Sequence, residues 1–287
     1  MTHPTGTLVA ERWTAAAGMP GGSGPAALAR LARRLAGVPD RLLPLVLPAA
    51  VLALWQAAAF WGWLSPQILP PPLMVLDTLA DLVRTGELGD AMLISLQRVV
   101  SGFAIGGTLG VAVGVAMGLS KPLEQYLNPL FKAIAQVPSL GWLPFLILLV
   151  GIGESLKIII IAKSCFVPMV LNTHEGIRAI PRQYKEVGQV FRLGRWTLIR
   201  RVMLPAALPS VFGGVRLALS HAWIALVIVE MLASTEGVGY LMTWGRTLFQ
   251  IDIVMAGMVV IGIIGLAMDA GLKRIEQRLR RWAPDAA

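Results

Sequence analysis

The chain has 287 residues, 56% of them hydrophobic and only 14% charged, with a formal charge of +9 and a mean hydropathy of +0.69. That is far more apolar than an ordinary soluble chain, so lipid rather than water is its solvent. The positive charge gathers between and beyond the apolar runs instead of covering one surface, which excludes a nucleic-acid partner, and the lone Cys165 can form no intrachain disulfide.

Residues 1–41, rich in Ala, Gly, Pro and Arg, read as a flexible basic tail with a short basic helix around 26–35. The first apolar run begins only near Leu42, too late for a cleavable signal sequence. A bilayer span takes about 20 mostly apolar residues, and the runs over 42–61, 95–119, 127–150, 156–177, 209–233 and 251–273 qualify. The fold class is therefore all-α, a polytopic membrane protein with about six transmembrane helices in one membrane domain, 42–274. A basic tail, 275–287, completes the chain. Arg12, Arg30, Arg33, Arg34 and Arg41 place the start of the chain in the cytoplasm by the positive-inside rule. Lys273, Arg274, Arg278, Arg280 and Arg281 place the end there too, and the acidic segment over 63–94 falls outside.

In that outer segment Pro70, Pro71 and Pro72 open an amphipathic run. Leu73, Leu76, Leu79, Ala80 and Val83 share one face, with Asp77 and Asp81 on another. The pattern predicts a helix along the outer surface, either capping the bundle or meeting an external partner. Gln97, Arg98 and Ser101, where the second span begins, would meet a bound protein or lipid headgroups. Within that span Gly102, Gly106, Gly110, Gly114 and Gly118 recur every fourth residue, a stripe that lets another helix approach backbone to backbone. The third span holds Pro129, Pro138 and Pro144 with Gly141 and Trp142 between. Proline removes a backbone donor, and irregular backbone at membrane depth survives only beside protein or a water-filled cavity. This span is expected to line a path.

Ionisable groups inside spans are costly and mark function by default. Lys163, Arg216, His221 and Glu230 qualify. Lys163 either pairs with Glu230 or faces an anionic substrate, and Glu230 itself reads as a gate or packing group. Arg216 lies near the inner end of its span, where it snorkels or braces the neighbouring inner segment. His221, beside Trp223, reaches the path or packs. The candidate translocation path is thus Pro138, Trp142, Lys163, His221, Trp223 and Glu230. His3, His174 and His221 stand too far apart in sequence for a metal or acid–base constellation, so neither a metal site nor an enzyme is expected.

The inner segment over 181–205 reads PRQYKEVGQVFRLGRWTLIRRVMLP. Val187, Val190 and Phe191 fall on one helical face, Gly194 can end that helix, and Trp196, Ile199, Val202 and Met203 make a second apolar stripe up to Pro205. Two short amphipathic helices meeting at an angle are expected. Glu186, Val202, Leu204 and Pro205 stand at the distances found in the hallmark loop of one family, E-A-A, three residues, G, nine residues, I, one residue, L-P. Gly188 takes the second alanine position and Arg192 the glycine position, with Gly194 two residues later. With PSLGWLPFLILLVGIG, GVRLALSHAWIALVIVEMLAS and ILPPP, the chain resembles the permeases of binding-protein-dependent ABC importers of the nitrate, sulfonate and taurine class, over roughly 42–282.

The resemblance implies a type I ABC importer permease fold in the bacterial inner (plasma) membrane, with both termini cytoplasmic. Glu186, Gly188, Arg192, Gly194, Leu204 and Pro205 would couple the membrane helices to a separate ATPase subunit, which would use ATP and Mg. This chain would bind no cofactor: its nearest approach to a phosphate loop, GIGESLK, lacks the second glycine and the spacing. A periplasmic binding protein would deliver a small anionic solute, an aliphatic sulfonate, taurine, nitrate or similar, to a pathway shared with a second, normally identical permease chain. The alternatives are a related importer for a thiamine-precursor-like nutrient, or a standalone secondary transporter, for which the expected inverted repeat is not visible.

Overall fold

A computed structural model describes residues 43–63 and 65–280. The N-terminal tail, with the short helix expected over 26–35, and residues 281–287 lie outside the described residues. In order the helices are α1 Leu43–Phe60, α2 Pro72–Thr85, α3 Glu87–Leu119, α4 Lys121–Gln136, a 3-10 turn Ser139–Trp142, α5 Leu143–Val150, α6 Glu154–Arg178, α7 Arg182–Val190, α8 Arg195–Leu198, a π-helical turn Ile199–Met203, α9 Leu204–Ala233, α10 Val238–Thr247 and α11 Ile251–Arg280. No strand occurs among the described residues. The chain forms two compact units, 1–58 and 59–287. The described part of the first belongs to α1, an apolar helix that runs on through Pro48. The second unit is a helix bundle.

The centre of this bundle is the pair α3 and α6, packed side by side and running the same way. The glycine stripe explains why. A β-carbon on Gly102 would stand 2.6 Å from Ile161, on Gly110 2.5 Å from Met169, on Gly114 2.6 Å from Thr173 and on Gly118 2.7 Å from Ile177. On Gly106 it would fall on the backbone of Ala162. Any side chain at these positions would part the helices. α9 runs back along α6, where Gly176 accepts Ser210 and Gly214 accepts Asn172. Val99, Ile161, Cys165, Met169, Ala218, Ala222 and Leu226 fill the space between the three. α11 then returns along α9, and its first turns carry α2 through Val75, Leu82, Ala256 and Val260.

Among the described residues, the six expected spans become four helices long and apolar enough to cross a membrane, on α3, α6, the run Trp196–Ala233 and α11, with a fifth if one bent pair is counted as a span. The bent pair is the expected third span. It breaks between Gln136 and Ser139 and turns through 93°, at Pro138, which has no N–H to carry the helix onward. Six is reached only by adding the shorter apolar stretch Val46–Phe60 within α1. α2 differs from expectation in the face it buries: Val75 and Leu82 point inward while Leu73, Leu76 and Val83 are exposed. An interfacial helix has no need to hide both apolar faces from water. α10 is an addition that the hydropathy pattern does not predict.

Candidate functional site

Three features carry candidate chemistry. The first is the segment from α7 to the π-helical turn. Gly188 is buried against Leu198, and Met203 packs with Ile177, Ile180 and Ala207, so the base of the segment is fixed to the bundle. Its tip is bare: Val190 is 80% exposed, Phe191 72% and Trp196 72%, and Glu186, Arg192 and Gly194 are exposed beside them. The turn between the helices falls on Arg192 (φ +47°), not on Gly194, and the Leu193 N–H closes it by donating to the Gly188 carbonyl at 2.9 Å. Gly194 instead begins the next helix, its carbonyl accepting from the Leu198 N–H. Leu204 and Pro205 open α9, with Leu204 exposed.

The second feature is a cleft of about 310 Å³ where the broken span meets α6 and α9. Pro138, Ser139 and Leu140 form one wall; Ser164, His221 and Ile224 are among the residues opposite. Lys163 lies at its margin: the ammonium donates to the Val137 carbonyl at 3.2 Å and approaches the Ser139 hydroxyl at 3.5 Å. It also sits 5.3 Å from the centre of the Trp142 ring, whose indole nitrogen is buried with no hydrogen-bond partner. Pro138 and His221 thus share the cleft wall, while Lys163 and Trp142 meet each other beside Ser139, outside the residues that line it. Trp223 and Glu230 join neither group: the Trp223 indole donates to the Ile261 carbonyl at 3.3 Å, and the Glu230 side chain is 0% exposed.

Glu230 belongs to the third feature, a buried ionic network at the end of the bundle away from α7. Its carboxylate accepts from Arg98 at 2.8 Å, from the Ser95 hydroxyl at 2.8 and 2.9 Å and from the Gly239 N–H at 2.9 Å. Arg98 also donates to the Glu154 carboxylate at 2.8 and 2.6 Å and to the Glu236 carbonyl at 2.9 Å, and Lys157 reaches Glu154 at 2.6 Å. Two cations and two carboxylates balance: Arg98, Lys157 and Glu230 are buried, and Glu154 stands 57% exposed at the edge of the network. The pairing of Lys163 with Glu230, one of the two roles open to Lys163, does not form, because Glu230 turns toward α3. Arg98, expected at a surface, is 3% exposed. Arg216 braces α11 rather than the α7 segment, bonding Asp269 at 2.6 and 3.0 Å.

Residues 106–281 match the family described as the binding-protein-dependent transport system inner membrane component. The chain belongs to this family. The permease is thus a multi-pass inner-membrane transport component. It is 36% identical to a putative aliphatic sulfonates transport permease protein of Bacillus subtilis (strain 168), over 83% of this chain and 86% of the relative. It is 38% identical to the protein of the same description in Escherichia coli (strain K12), over 85% and 93%. Its fold is shared with a chain of the MetNI methionine ABC transporter at a TM-score of 0.57 and 18% identity, covering 64% of the permease and 92% of that chain.

Proposed function

We propose that the permease forms the membrane pathway of an ATP-driven importer for a small anionic solute, an alkyl sulfonate in the first instance, brought by an external binding protein. ATP, with Mg, is hydrolysed in a separate subunit that docks on the α7–α8 segment; the permease binds no nucleotide. The basic residues around that segment and near the two ends of the chain support a cytoplasmic side for all three by the positive-inside rule. A second identical chain faces the cleft and completes the pathway.

The observation that carries this reading is the tip of the α7–α8 segment. Water gains nothing from Val190, Phe191 and Trp196 standing bare around one turn, whereas a cleft in a partner protein would bury all three. Arg192 sharpens it. A non-glycine residue in the left-handed region costs about 1 kcal/mol or more, and Arg192 stands there, at the position where the hallmark loop has glycine, with its side chain at the exposed tip that would be docked. The relatives' sulfonate descriptions supply the solute class.

The test is a mild-detergent pull-down of the tagged permease with mass spectrometry of what it retains, beside uptake of ethanesulfonate by the same cells. A retained protein with a Walker phosphate loop, lost together with uptake in Glu186→Ala and Arg192→Glu while membrane insertion is intact, is the expected result. Undiminished uptake in both variants would overturn the docking assignment.

A further inference from the structure

The cations on the three central helices carry an inequality. On α3, α6 and α9, Arg98 holds Glu230 and Glu154, Lys157 holds Glu154, Arg178 holds Glu124 and Arg216 holds Asp269. Lys163 has no carboxylate among the described residues; its neighbours are a carbonyl, a hydroxyl and an indole ring. It lies deep, about 13 Å along α6 from Glu154 at 1.5 Å per residue. A lone cation at that depth is expensive unless something supplies the opposite charge. The Trp142 ring steadies an ammonium through its negative face but brings no net charge.

We infer that Lys163, with Ser139 and His221 on the cleft walls, forms a transient anion-binding site on the translocation path, its missing counter-charge being the acid group of the passing solute. This rests on the reading of the cleft as the path. Donor chemistry fits a sulfonate, whose oxygens only accept. Lys163 offers ammonium protons beyond those engaged, Ser139 accepts from Lys163 and so keeps its own proton to give, and His221 makes no hydrogen bond with the described residues. Among the described residues no carboxylate lines the cleft. Glu230 adjoins the lining residue Val229 in sequence but turns its side chain into the Arg98 network.

The experiment uses the permease with its ATPase and binding protein in proteoliposomes, measuring initial ethanesulfonate uptake and ATP hydrolysis together, with inserted permease quantified for every variant. Lys163→Gln should lower uptake about tenfold while hydrolysis stimulated by the loaded binding protein stays within about twofold, since only a charge-assisted contact to the solute is removed. Lys163→Arg should keep at least about half the uptake, and Ser139→Ala and His221→Gln should each lower it about two- to fivefold. Wild-type uptake by Lys163→Gln overturns the anion site alone. Joint loss of hydrolysis and uptake in both Lys163 variants overturns it in favour of a structural brace. A wild-type complex that hydrolyses ATP in response to its binding protein yet imports no alkyl sulfonate overturns the proposed solute class instead, and the anion site with it.

Discussion

Glu230 is held inside the bundle by Ser95, Arg98 and the Gly239 N–H, all of which donate to its carboxylate. Gly237 (φ +102°) permits this closeness, since a β-carbon there would run into the carboxylate. Removing one member of such a set strands the others, so Glu230→Ala should cost about 3–5 kcal/mol, and the paired Arg98→Met, Glu230→Leu change should cost less. Thermal midpoints of the purified chain in one detergent decide it; a double variant worse than Glu230→Ala would show that the network acts through more than its pairing. Gly237→Ala should lose about 2 kcal/mol or more through overlap and backbone strain, visible in the same assay. None of this is legible in the sequence. Arg98 and Glu230 are 132 positions apart, and hydropathy periodicity reports only which residues share a local face. The positions of charges along separate helices leave partner choice open, which is why Lys163 is as good a mate for Glu230 as Arg98 until the helices are packed.

The glycine stripe of α3 is the opposite case, because a period of four on one helix encodes a whole helix face. The sequence pattern therefore predicts a close helix contact, and α6 supplies it. Gly107 provides the control: its β-carbon would meet only the Phe103 ring of its own helix, at an ordinary 3.6 Å. Gly106→Ala should lower stability by about 1–3 kcal/mol, whereas Gly107→Ala should be neutral or slightly stabilising through helix propensity. Equal midpoints for the two variants would mean that α3 and α6 separate without cost. The break in the third span is also legible, since Pro138 forbids a regular helix, but the 93° turn is not: a missing N–H says where a helix fails, and packing against α6 and α9 sets the direction in which it resumes. α10 leaves no clear trace in the sequence because its ten residues are short and mixed in polarity, and its order comes from contacts with α9 and α11.

Across the whole molecule, the exposed tip and the buried network are joined by one piece of helix. The run Trp196–Ala233 is continuous over 38 residues, through the π-helical turn and α9, with Trp196 at the exposed tip and Glu230 three residues from the other end. A helix that length spans about 57 Å, and the cleft lies on its flank at His221 and Ile224. In the proposed assembly, closure of the ATPase subunits would move this rod as a unit and reshape the cleft beside it. Rigidity between the tip and the cleft is then a requirement, and it can be removed without touching either. Ala206 and Leu208 are exposed near the start of α9, so replacing both with glycine loosens the rod by about 1 kcal/mol per position while disturbing little packing. The double variant should insert normally and support near-normal ATP hydrolysis, but import fewer solute molecules per ATP hydrolysed. Proteoliposome measurements of both rates give that ratio directly. A ratio equal to that of the unaltered complex would mean that force reaches the cleft by another route, through α7 and the end of α6 rather than along α9.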